Sequence, residues 1–77
     1  MGRHPSSVSI EAIRTQIQAN IAHTLSDDML GLYLRGFTRR VTRQGIYTKQ
    51  AVYGAIKRGK MSHEMAQMFV EYCLRNA

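Results

Sequence analysis

The chain has 77 residues, a single cysteine and a net charge of +6, from 11 Lys and Arg against 5 Asp and Glu. That length bounds it to one small domain with a modest core, a size at which self-association commonly adds stability. Cys73 alone excludes an internal disulfide. No apolar run approaches the ~18 residues of a membrane span, and the start MGRHPSSVS lacks the apolar stretch of a secretion signal, so a cytoplasmic protein is expected.

Residues 1–8 read as a flexible basic arm: polar, aperiodic and carrying the only proline. Arg3 and His4 either touch a phosphate backbone or minor groove there or belong to a terminus of no consequence. Residues 9–77 read as a single all-α domain of four to five short helices containing a helix-turn-helix. Ser9 is a candidate N-cap, and Ile10, Ile13, Ile17 and Ile21 recur at helical spacing. The expected helix runs from about Ile10 to Thr24, with Ala12, Ala22 and Leu25 widening its apolar stripe. That stripe serves as a core face, as half of a dimer seam, or as both.

Ser26-Asp27-Asp28 starts the next helix, a capping hydroxyl followed by two carboxylates at the positive end of the dipole. With no third ligand beside them, the aspartates read as caps rather than as a metal site. Met29, Leu30, Tyr33, Leu34, Phe37 and Val41 continue at helical spacing. Gly36 lies among them, where glycine costs roughly 1 kcal/mol against alanine. One helix from Asp27 to Arg43 and two helices meeting near Gly36 both fit, and the glycine favours the break. Gln44-Gly45-Ile46-Tyr47 reads as a turn, with glycine supplying a positive φ and an apolar residue plugging the core.

Thr48 to Lys60, TKQAVYGAIKRGK, follows as a short helix. Thr48 is its cap, and Gly59 its left-handed exit. Ala51, Val52, Ala55 and Ile56 share one side. The other side carries Lys49, Gln50, Tyr53, Gly54 and Lys57, donor-rich and free of carboxylates, suited to base edges and phosphates in a major groove. An ordinary surface helix with a solvated basic face has the same spacing, but the charge distribution argues for more. Between Met29 and His63 there is no acid, and eight of the eleven basic residues fall in that interval. A basic centre with mildly acidic flanks is the footprint of a polyanion binder. Lys60-Met61 then reads as a link, and Ser62 as the cap of a last helix with Met65, Met68, Phe69, Tyr72 and Cys73 inside.

The segment GIYTKQAVYGAIKRGK resembles the second half of the helix-turn-helix in Cro and lambda-repressor-like regulators, small phage- or plasmid-type repressors. The likeness rests on Thr48, Ala51-Val52, Ala55-Ile56 and Gly59-Lys60, and it covers about Gly45 to Cys73. The Gly45–Thr48 turn is one residue longer than that family's pattern. The resemblance implies a sequence-specific double-stranded DNA-binding transcriptional regulator, a repressor occupying a palindromic operator as a homodimer. It puts Thr48, Lys49, Gln50, Tyr53, Gly54 and Lys57 on bases. Arg39, Arg40, Arg43, Arg58 and Lys60 are then expected on phosphates.

The competing expectation is a small basic protein-interaction module, such as a phage or plasmid inhibitor of a host protein. RNA binding ranks lower, since no strand-borne aromatic pair or GXXG loop is visible. No enzyme, cofactor, metal site or small-molecule substrate is expected. His4, His23, His63 and Cys73 lack metal-ligand spacing, and no glycine-rich phosphate loop occurs.

Overall fold

A computed structural model describes residues 7–77. The expected contacts of Arg3 and His4 lie outside the described residues. Three quarters of the described residues are helical, in α1 (Ile10–Ile21), α2 (Asp27–Arg43), α3 (Lys49–Arg58) and α4 (His63–Asn76). Two three-residue strands, β1 (Ser7–Ser9) and β2 (Lys60–Ser62), pair antiparallel, with Val8 opposite Met61.

Every helix starts where a hydroxyl can accept a free first-turn N–H. Ser9, Ser26, Thr48 and Ser62 accept from Ala12, Met29, Ala51 and Met65 at 3.1, 3.2, 3.1 and 3.1 Å. Replacing such a cap by alanine typically costs about 1 kcal/mol. α1 ends at Ile21, short of Thr24. Ala22 turns left-handed at φ 63° and returns its N–H to the Gln18 carbonyl. Leu25 is therefore not on the helix, but it is still buried. Two α1 side chains hold it there. The Gln18 Oε1 accepts the Leu25 N–H at 2.8 Å, and the Arg14 guanidinium donates to the Leu25 carbonyl at 2.9 and 2.6 Å.

α2 is one unbroken helix, so the break expected near Gly36 does not occur. The reason is tertiary. A Cβ on Gly36 would run into the hydroxyl of Tyr72 on α4. The glycine admits a close neighbour and does not interrupt the backbone. Phe37 and Phe69 meet edge-on at 5.2 Å between α2 and α4. The buried Thr38 donates its hydroxyl to the Leu34 carbonyl at 2.7 Å. Met29, placed in the apolar set by its spacing, is 40 % exposed.

In the turn 44–48, Gly45 has φ +74° as expected. The side chain that closes the core is Tyr47, half-buried; Ile46 is 46 % exposed. β1 and β2 replace two expected irregular stretches, the end of the arm and the Lys60-Met61 link. Ser7 and Val8 therefore belong to the folded unit. Three-residue strands carry no readable alternation; they exist because Met61 is buried to 1 % under Val8. The Ile10 N–H also donates to the Gly59 carbonyl at 2.9 Å. α4 packs on α1 and α2, while α3 rests on α2 and β2.

Candidate nucleic-acid interface

α3 is ten residues long and presents most of its circumference to solvent. Val52 and Ala55 are buried, and Ile56 is half-buried. Ala51, expected on the inner side, is exposed. The buried arc centres on Val52 and Ala55 because α3 leans on α2 and β2 together, and this rotates Ala51 outward. Thr48, Lys49, Gln50, Tyr53 and Lys57 are exposed as the spacing predicts. Gly54 is half-buried; a Cβ there would lie 3.2 Å from the Arg58 guanidinium, so the Arg58 side chain folds back across it.

α2 and α3 enclose a groove of about 460 Å³. Arg35, Arg39 and Arg43 line it from α2, with Thr38 and Thr42; Lys49 and Tyr53 line it from α3. Four cations thus converge on one concavity, with a tyrosine ring on its wall. Arg39 and Arg43 also border a second groove of about 400 Å³, shared with Arg40 and Tyr72. They form a ridge between the two. Arg40 belongs to the α4 side, its guanidinium carbon 5.5 Å from the centre of the Tyr72 ring. Arg58 and Lys60 sit at the other end of α3 and line neither groove. Arg35 is the groove residue that the expected DNA-contacting set leaves out. Its signal was the four-residue interval to Arg39 and then Arg43, which sets all three along one side of α2.

Among the described residues, ion pairs involve a single cation, Arg14, with Asp27 at 2.8 Å and Glu11 at 3.6 Å. All five acids of the chain are described, so the eight basic residues between Met29 and His63 have no carboxylate partner. All eight are exposed. An unneutralised cluster of this kind creates a positive potential that extends about a Debye length, roughly 8 Å at physiological salt.

The remaining titratable groups stand apart from this face. The Tyr47 hydroxyl donates to Glu64 at 3.2 Å across the start of α4. Burial raises its pKa, the Ser62 hydroxyl opposes that, and the neighbouring Glu64 carboxylate adds to it. Cys73 is fully buried, and desolvation pushes its thiol up to about 12. Among the described residues, no three of His, Cys, Asp and Glu gather as a metal would require. No described helix is long and apolar enough to cross a membrane. Comparison with protein-family models, with curated proteins and with solved structures finds no match for the chain.

Proposed function

We propose that the chain is a sequence-specific double-stranded DNA-binding regulator of transcription, a repressor that occupies a palindromic operator as a homodimer in the cytoplasm. One observation carries this reading. Eight exposed cations without carboxylate partners surround a short helix whose open face offers Lys49, Gln50, Tyr53 and Lys57. In this reading α3 enters the major groove. Lys49 bonds guanine O6 or N7, Gln50 pairs with adenine, and Tyr53 packs on a thymine methyl or bonds a phosphate. Thr48, Gly54 and Lys57 complete the base-facing set.

Arg39 and Arg43, on the ridge of α2, bind phosphates and set the register. Arg58 and Lys60 hold a phosphate beyond the far end of α3. Arg40, seated on Tyr72, acts first on the fold. The chain has no catalytic role in this proposal and needs no cofactor. The turn 44–48 is longer than in the Cro and lambda-repressor-like regulators that the segment resembles, so α3 has its own docking angle.

The test is a fluorescence-anisotropy titration of labelled duplex from upstream of the chain's own gene, at several salt concentrations, against random duplex. Binding that survives the competitor, with a steep salt slope, is the expected result. Lys49→Ala and Gln50→Ala should each relax preference at one base position, costing about 1–3 kcal/mol on the right site. Equal removal by random duplex would replace the regulator with a non-specific DNA binder. No binding at low salt would turn the same face into a docking surface for an acidic protein. That second reading is favoured by one observation, the apolar pair of Tyr53, 51 % exposed, and half-buried Ile56 beside the cations.

A further inference from the structure

The exposed side of the first half of α2 has features that neither the core nor the cationic groove explains. Gly31 lies inside the helix, where glycine is less favourable than alanine. Yet a Cβ there would meet nothing within 4 Å. Unlike Gly36, it has no close neighbour among the described residues. Beside it Leu32 is 57 % exposed, more than any other large apolar side chain among the described residues. Asp28 and Arg35 are both exposed, and neither is in an ion pair among the described residues. Asp28, Leu32 and Arg35 follow one another at intervals of four and three, so they form one line along the helix. Next to that line, Gly31, Leu34, Tyr53 and Ile56 border a shallow groove of about 260 Å³.

We propose that a second copy of this chain covers this face by antiparallel packing of α2 on α2. The line is self-complementary: acid, apolar, base. The register that sets Asp28 against Arg35 of the second copy also sets Leu32 against the second copy's Gly31. Each contact then occurs twice about a two-fold axis. The absent Cβ of Gly31 leaves the hollow into which Leu32 fits, at a helix separation of roughly 8–10 Å. Leu32 thereby reaches the apolar border formed by Leu34 and Ile56. This names the dimer surface of the repressor proposed above, and it rests on that reading only for its consequence on DNA. A two-fold beside Gly31 and Leu32 puts the two Arg43 side chains roughly 34 Å apart along the helix pair, at 1.5 Å per residue. That is about one turn of duplex. The same axis keeps both α3 helices on one side of the dimer.

The experiment is sedimentation velocity on the full chain without DNA, from low to high micromolar concentration. The wild type should rise from 8.8 kDa toward twice that mass. Leu32→Glu and Asp28→Arg should each weaken the dimer by at least about tenfold, the scale of like charges or a buried charge at an interface centre. The swap Asp28→Arg with Arg35→Asp should restore it, and helical circular dichroism should be unchanged throughout. A wild type that stays at 8.8 kDa, a dimer indifferent to Leu32→Glu, or a swap that fails to rescue would each overturn the proposal. The anisotropy titration separates the two readings. A dimer without DNA binding overturns the regulator and leaves the packing. Specific DNA binding by a chain that stays monomeric without DNA does the reverse.

Discussion

Gly36→Ala and Gly31→Ala place the same methyl group on the same helix with opposite expected results. Both gain roughly 1 kcal/mol of intrinsic helix preference. At Gly31 nothing opposes that gain. At Gly36 the methyl displaces Tyr72, which is pinned by three neighbours. Its ring meets Tyr33 at 6.5 Å and Phe37 at 6.0 Å, and Arg40 lies over it at 5.5 Å. Two edge-on aromatic pairs and an exposed cation–π contact together hold about 1.5–4 kcal/mol. Gly36→Ala should therefore destabilise the chain by about 0.5–3 kcal/mol, lowering the melting temperature by roughly 2–24 °C for a domain this size. Gly31→Ala should raise it by a few degrees, measured dilute enough that the chain is monomeric. Circular dichroism melts of both variants, beside Gly36→Ala with Tyr72→Phe, give the comparison. The double variant removes the hydroxyl and leaves ring carbon Cζ at 3.2 Å from the new methyl, so it should recover part of the loss. Equal melting temperatures for the two alanine variants would refute the argument, because Tyr72 would then swing aside freely.

Ala22→Gly should stabilise the chain by about 1 kcal/mol, since Ala22 holds a left-handed φ of 63° that costs a residue with a Cβ about that much; a thermal melt reads it. The Cys73 thiol should ignore an aromatic disulfide reagent until the chain unfolds. Its pKa is raised in the fold, so the native state keeps a proton that the unfolded state loses. The resulting stability is complete below the ordinary value of 9.0 and is lost as pH rises toward about 12, which denaturant titrations across that range would detect. Arg39→Ala should lower the salt slope of DNA binding by about 0.9 per protomer. Arg40→Ala should instead lower the melting temperature and leave the slope nearly unchanged, and the reverse pattern would place Arg40, not Arg39, on the duplex.

The four helices were legible because their starts are local chemistry. Ser9, Ser26, Thr48 and Ser62 each precede an apolar stripe, and each caps its helix. The α1 isoleucines also point inward as their spacing says, Ile21 only partly. What the sequence hid was tertiary. Gly36 has the same helix propensity whether or not Tyr72 lies against it, so its cost read as a break. β1 and β2 are too short to alternate, and their pairing joins distant parts of the chain. Ala51 and Met29 went astray because helical spacing gives a direction but not the position of the neighbours that define inside. On the candidate interface, the exposure of Lys49, Gln50, Tyr53 and Lys57 was readable from α3 alone. The convergence of Arg35, Arg39 and Arg43 on Lys49 needed the angle between two helices.

The pairing of β1 with β2 also sets an order in time. Ser9 and Lys60 face each other although fifty residues lie between them. Closing so long a loop is slow compared with forming neighbouring contacts. α2 and α3 meet across a short turn and can dock early. Of the described helices α1 is made before the others, yet its isoleucine face has no cover until α4 has been made. The earliest-made of the described helices is thus the last to be sheltered, and for that interval its apolar stripe is exposed to aggregation.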